Sequence, residues 1–277
     1  MSLKQALEKA KKMRSETPAH SGPPEVQTAV SDSPQRPAEW KSPAYLNSQR
    51  VELNPAVLTS NRCVCIAPTA KEIDQYKVLR TKIQFAAKQK GWNTLMITSA
   101  LEGEGKTLTA INLALTFAKA YNQTVLLVDG DLRRQTIHKM LGFPSRLGLV
   151  DYLQHEVPVK DIVVWPGIEQ MTVISGGRTV SNSSELLGSP RMRALVEEMK
   201  SRYPDRTLIF DSAPVLGGAD AMALTPFVDG IVVVVEAGRT GLRELRKAVA
   251  MLPADKIMGF VLNRQKNPST TNYSYYG

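Results

Sequence analysis

The stretch that most restricts what this chain can fold into is TLMITSALEGEGKT, residues 94 to 107, a short apolar run that breaks into a glycine-spaced turn ending in Lys106 and Thr107. A phosphate held by backbone needs inward-pointing N–H groups, so the turn cannot carry bulky side chains, and it gains from the positive end of the helix that follows. Gly103 and Gly105 meet the first need, and a helix opening near Lys106 meets the second. Lys106 is then placed to reach the β and γ phosphates, and the Thr107 hydroxyl to hold Mg²⁺. The strict pattern GxxxxGK[ST] is not met, because its first glycine position holds Ala100. The loop therefore needs support from the rest of the chain.

That support comes first from alternation. Apolar spacing predicts helices over 71–90, 108–120, 184–202, 219–225 and 240–252, and strands over 94–99, 124–128, 171–175, 207–210, 230–235 and 257–262. Strands alternating with helices argue for an α/β, P-loop NTPase-type fold, a three-layer αβα arrangement with a mostly parallel central sheet and helices on both faces. The strand ends then lie on one edge of the sheet, where ligands of open α/β sheets bind. The expected domain is 61–263. Ahead of it, Leu3, Ala6, Leu7, Ala10 and Met13 share one face of an amphipathic helix over 1–14, and 15–60 is a Pro/Ser-rich linker. After it, 264–277 reads as a flexible tail.

Composition narrows the partners. With 277 residues and 43% hydrophobic content, the chain can bury one sizeable core. A formal net charge of +9 favours anionic partners: nucleotides, nucleic acid or an acidic membrane surface. No apolar run approaches the ~18 residues of a membrane span. The first residues are charged from Lys4 onward, so no signal-peptide core is expected. Cys63 and Cys65 are too close in sequence for an easy disulfide and read as reduced thiols, and histidines only at 20, 138 and 155 make no zinc set.

Three carboxylates fall at or just past strand ends: Asp129, Asp131 and Asp211. Magnesium prefers hard oxygen ligands and takes one or two from protein, the rest from water and phosphate. Asp211, after the run Thr-Leu-Ile-Phe, suits a carboxylate facing that metal. Asp129 and Asp131, two apart, share a face if both are in a strand, so one can hold Mg²⁺ while the other accepts a proton from an attacking hydroxyl. Arg133 is placed to neutralise phosphate charge. Tyr273, Tyr275 and Tyr276, in a tail without apolar companions, make sense as phosphoryl acceptors.

Taken together, SALEGEGKT (99–107), LLVDGDLRR (126–134), LIFDSAPVL (208–216) and the tyrosine-rich end resemble the bacterial tyrosine kinases of capsule and exopolysaccharide biosynthesis, with their motifs named Walker A, A′ and B. The resemblance covers about 73–277. It implies that Gly103, Glu104, Gly105, Lys106, Thr107, Leu108 and Asn263 bind ATP, and that Thr107, Asp131 and Asp211 hold Mg²⁺. It further implies that Lys106, Asp129, Asp131 and Arg133 serve catalysis, and that the tail tyrosines are autophosphorylated. In that family an E-x-x-R-x-x-R helix joins subunits into a ring; here those positions are Asp74, Lys77 and Arg80, which keep the charge signs but not the groups. The implied partners are other copies of the chain, a separate transmembrane polysaccharide co-polymerase as activator, and a cognate tyrosine phosphatase, with no nucleic acid. The implied location is the cytoplasmic side of the plasma membrane. The competing reading is a nucleotide-switched positioning ATPase of the partitioning and division-site type. Those carry an extra lysine early in the loop, where this chain has Leu101. No H-R-D or D-F-G signature is present, which excludes a eukaryotic-type kinase.

Overall fold

The computed structural model describes residues 48–66, 72–120, 123–202 and 205–266. The expected N-terminal helix, the linker up to residue 47 and Tyr273, Tyr275 and Tyr276 lie outside the described residues. In chain order the strands are β1 (Gln49–Arg50), β2 (Thr94–Ser99), β3 (Thr124–Asp129), β4 (Val163–Trp165), β5 (Met171–Ile174), β6 (Arg206–Asp211), β7 (Gly230–Glu236) and β8 (Ile257–Asn263). The helices are α1 (Pro55–Ser60), α2 (Ile73–Lys90), α3 (Lys106–Phe117), α4 (Ile137–Leu141), α5 (Leu149–His155), α6 (Val159–Ile162), α7 (Ser183–Leu187), α8 (Pro190–Arg202), α9 (Asp220–Leu224) and α10 (Leu242–Ala250).

Among the described residues the strands form one sheet, in the order β1-β4-β5-β3-β6-β2-β7-β8. Every pairing is parallel except β4 with β5. The central strands are buried along nearly their whole length, as expected when helices cover both faces. Side chains alternate between two cores. Met96, Leu126, Phe210 and Val233 pack with Leu195 and Met199 of α8 and Ala248 of α10. Leu95, Ile97, Leu127 and Val234 pack with Ile111 and Leu115 of α3 and Ile83 of α2. Helix α3 is buried all round except at Leu108, because α2 and the segment after α1 cover its outer side.

Two differences from the sequence expectations have local causes. The helix expected over 184–202 is two helices, because Pro190 disfavours a helical Ser189 and starts α8 itself. The linker expected to reach residue 60 stops earlier. Asn54 caps α1 by accepting from the Ala56 and Val57 amides, Pro55 supplies the first helical φ, and Leu58, Cys63 and Cys65 are buried against α3. Helix α3 opens at Lys106, directly from Gly105, as the loop's glycine spacing led one to expect.

Candidate active site

Strand order does the first part of the assembly. With β6 between β3 and β2, Asp129 pairs in register with Asp211, and Asp211 with Ile97, two residues before the end of β2. The loop after β2 and the acidic ends of β3 and β6 therefore meet at one edge of the sheet.

The loop is held open by its own backbone and latched from two sides. Gly103 and Gly105 have φ of 81° and 95°, the left-handed region in which a side chain is strained, and a Cβ on Gly105 meets the Asn263 amide nitrogen. That Asn263 Nδ2 donates to the Glu104 carbonyl at 2.8 Å. The Glu104 carboxylate is fully buried, accepts from the Leu101 amide at 2.8 Å and takes the Thr240 hydroxyl. Thr240 in turn accepts from the Glu236 amide at 3.0 Å. The loop is thus tied to the turn after β7 and to the end of β8.

Lys106 sits among carboxylates. Its Nζ donates to Asp131 Oδ2 at 2.8 Å and lies 3.8 Å from Asp211 Oδ1, with the lysine side chain only 9% exposed. Burial pulls its pKa down, and Asp211, Asp131 and Asp129 more than offset this, so the ammonium is held charged with a raised pKa. Asp129 Oδ2 accepts from the Ile137 amide at 3.1 Å, while its Oδ1 and both oxygens of Asp211 have no hydrogen-bond partner among the described residues. Burial first, and the facing Asp211 second, hold the Asp129 carboxyl well above the ordinary carboxylate range. Burial likewise pushes Asp211 up to about 6 against the pull of Lys106.

Three unpartnered, fully buried carboxylate oxygens cost free energy unless something positive faces them. A magnesium ion fits that need. No three His, Cys, Asp or Glu among the described residues form a ready-made cage, but Mg²⁺ takes few protein ligands and its remaining oxygens come from phosphate and water. Thr107 completes the set: its hydroxyl lies 3.3 Å from that of Thr136 and 3.5 Å from Lys106 Nζ. Above these residues opens a cleft of about 820 Å³, lined by Gly103, Gly105, Lys106, Thr107, Leu108, Asp131 and Asn263 and, on its rim, by Arg62, Arg134, Lys139 and Arg264. This is the size range of a site for a nucleotide.

Residues 95–276 match the CobQ/CobB/MinD/ParA nucleotide binding domain. Over 212 residues the chain is 35% identical to the tyrosine-protein kinase YwqD of Bacillus subtilis (strain 168), spanning 76% of this chain and 88% of YwqD. The chain belongs to the bacterial tyrosine-protein kinases. Among solved structures, the kinase domain of the Escherichia coli tyrosine kinase ETK matches with a TM-score of 0.69 and 29% identity, over 83% of this chain and 88% of that one. The septum site-determining protein MinD from Pyrococcus horikoshii OT3, in complex with Mg-ADP, matches with a TM-score of 0.52 and 22% identity over 64% of this chain and 72% of that one, a likeness of fold alone. The positioning-ATPase alternative is thus the less supported one.

Within this bacterial tyrosine kinase, the cleft brings together Gly103, Gly105, Lys106, Thr107, Leu108, Asp131 and Asn263 from the residues singled out in the sequence. Glu104 braces the loop with its carboxylate instead of lining the cleft. Asp129 and Asp131 do not act as a shared face, because β3 ends at Asp129 and the chain turns, sending Asp131 to Lys106 and Asp129 back to Ile137. Arg133 is not among the residues that line the cleft. Its Nε donates to Ser183 Oγ at 3.0 Å and lies 3.3 Å from Asp220, so it ties α7 to α9; Arg134, paired with Glu102, lines the cleft in its place. Of the expected oligomer residues, Asp74 and Lys77 form an exposed pair at 2.9 Å. Arg80 instead turns inward, donating to the Thr116 carbonyl at 2.7 Å. No helix among the described residues is long and apolar enough to cross a membrane.

Proposed function

We propose that this kinase moves the γ-phosphoryl group of ATP to Tyr273, Tyr275 and Tyr276 of its own tail, from one subunit to another within a homo-oligomer. The observation that carries this reading is Lys106, a buried cation held between Asp131 and Asp211 at the mouth of a helix, with Asp131 open to the cleft. The bond from the tyrosine oxygen to the γ-phosphorus forms as the bridging bond to the β-phosphate breaks; ADP leaves and the phenolic proton passes to Asp131. Bound Mg²⁺ neutralises charge on the transferring phosphoryl group. Thr107 and Asp211 are the residues to hold it, with Asp131 near enough to join them. Lys106 releases Asp131 when phosphate takes its ammonium, so nucleotide binding frees the proton acceptor. The loop amides from Gly103 to Leu108 and the Asn263 side chain orient the nucleotide.

The oligomer contact is assigned to the outer face of α2. Asp74, Val78, Thr81 and Phe85 follow one another at helical spacing, and Val78 and Phe85 are 50% and 69% exposed. A separate transmembrane polysaccharide co-polymerase is the proposed activator and a tyrosine phosphatase the proposed counter-enzyme, in exopolysaccharide or capsule synthesis, at the cytoplasmic face of the plasma membrane. Purified protein incubated with ATP and Mg²⁺ and probed for phosphotyrosine tests the core of this. Signal is expected on the wild type, and none on Lys106→Ala or on the variant with all three tail tyrosines changed to Phe. Persistent signal on the Phe variant moves the acceptor elsewhere, and no signal from wild type, with or without the activator's cytoplasmic segment, removes the autokinase reading.

A further inference from the structure

The segment from Asn54 to Ile66 lies outside the matched nucleotide-binding domain, yet it reaches the cleft. It leaves α1 through two backbone bonds, Arg62 N–H to Thr59 O at 3.1 Å and Cys63 N–H to Leu58 O at 2.9 Å. That pair is the Schellman closure of a helix, whose left-handed position is normally taken by glycine. Here it holds Arg62 at φ 57°. A long side chain is kept where the backbone favours none.

Around Arg62 the segment is pinned to the nucleotide-side helices. Asn112 of α3 donates from one Nδ2 to the carbonyls of Arg62, at 3.1 Å, and Leu108, at 3.2 Å, while its Oδ1 accepts from the Cys65 amide at 3.0 Å. Asn61 Nδ2 donates to the Met140 carbonyl at 3.2 Å. The Arg62 backbone is therefore fixed one side chain away from the first turn of the phosphate-binding helix, and the neighbouring Asn61 is tied to the end of α4, the helix that carries Lys139.

The charge balance of the cleft singles out the same two residues. Lys106 is paired with Asp131, Arg134 with Glu102 and Arg264 with Glu236. Arg62 and Lys139 line the cleft with no carboxylate partner among the described residues. Both are exposed positive charges on the wall of one cleft, and together they attract an anion that enters it.

We propose that Arg62 and Lys139 form a second phosphate grip on the rim of the cleft, closing on the phosphates of the bound nucleotide, so that docking of the segment 54–66 and nucleotide occupancy stabilise each other. This rests on the cleft being the nucleotide site, and it places a nucleotide-contacting residue outside the domain that carries the recognised motifs. Linkage requires the coupling to run both ways: nucleotide holds the segment down, and a docked segment holds nucleotide. Phosphotyrosine on the tail offers the same chemistry as a nucleotide phosphate, and the test separates the two.

The test uses the full chain and a fluorescent ADP analogue with Mg²⁺. Arg62→Gly suits φ 57° better than arginine and so removes the guanidinium without endangering the fold; Lys139→Gln removes the second charge. Each single variant is expected to weaken nucleotide binding about three- to tenfold, and the double variant more, with a shallower dependence on salt. In the wild type, saturating Mg-ADP is expected to slow modification of Cys63 and Cys65 by a thiol reagent, because both are buried by this segment. The double variant is expected to lose that protection even at saturation. A double variant that binds nucleotide within twofold of wild type overturns the proposal, as does one whose only loss is in binding a phosphotyrosyl peptide copied from the tail. Lys106→Ala separates the two levels of the argument: if it too binds like wild type, the cleft is not the nucleotide site at all.

Discussion

Asp129 and Asp211 stand opposite each other as register partners at the ends of two parallel strands, both fully buried, and three of their four carboxylate oxygens have no hydrogen-bond partner among the described residues. The nucleotide-free protein thus carries a destabilising pair at its centre, neutralised in part by Lys106.

That pair predicts a pH dependence. Asp211 is pushed up to about 6 from its ordinary 3.8, and Asp129 is likewise raised, first by burial and then by Asp211 itself. A carboxyl that holds its proton more tightly when folded contributes stability at low pH that is lost as pH rises through the folded value. Asp129→Asn can still accept from the Ile137 amide and offers an N–H to Asp211. It is expected to melt like wild type near pH 4, and above it by pH 7, by about 1–2 kcal/mol or roughly 3–6 °C. Thermal melts of the nucleotide-free proteins across that range check it; an equal offset at every pH counts against the titration.

Lys106→Ala removes the cation from this basin. We expect the nucleotide-free variant to lose roughly 2–3 kcal/mol at neutral pH, because buried carboxylates are left unpaired. Phosphotransfer is expected to fall at least ~100-fold. Asp131→Asn should lower turnover far more than nucleotide affinity, since it frees Lys106 for phosphate but removes the proton acceptor. Calorimetry beside a phosphotyrosine assay separates the two variants.

The Glu104 brace gives a third expectation. Thr240→Val leaves a buried carboxylate oxygen short of a donor without touching the cleft, at a cost of about 1–3 kcal/mol. Its signature is a raised KM for ATP with a smaller change in kcat, since the loop loses its support and the reacting groups do not. Equal loss in both constants places Thr240 in the chemistry itself.

The two thiols should be inert in the folded protein. Burial pushes Cys63 up to about 11, with Cys65 adding to the shift, and Cys65 is raised for the same first reason. Labelling with iodoacetamide at pH 8 is expected to be slow for the native chain and complete after unfolding in urea. Rapid labelling of the native form contradicts the packing of Leu58, Cys63 and Cys65 against α3.

The sheet and the position of the phosphate loop were legible because periodicity reports burial directly: β2, β3, β6 and β7 read as continuous apolar runs and are buried on both faces. The break at Pro190 was legible in principle and was overridden by apolar spacing on either side of it. What sequence could not show was direction. Arg133 follows the acidic motif closely enough to suggest phosphate, but the turn after Asp131 sends it to Ser183 and Asp220, residues far away in sequence. The 54–66 segment hid inside a Pro-rich stretch, although Asn54-Pro55 ahead of Val57 and Leu58 was a readable helix start. Its hold on the site depends on Asn112, which reads as an ordinary polar residue within α3.

Asn263 is at once the last residue of the sheet, the side chain that ties down the phosphate loop, and the point from which the chain runs on toward the proposed acceptors Tyr273, Tyr275 and Tyr276. Tyr273, Tyr275 and Tyr276, the proposed acceptors, are thus covalently tied to the rim of their own cleft, and such a tie raises the effective concentration of an internal acceptor. A neighbour's tail must outcompete it. Assembly can favour exchange between subunits only by offering a still higher local concentration, or a straighter approach, than the chain already provides to itself.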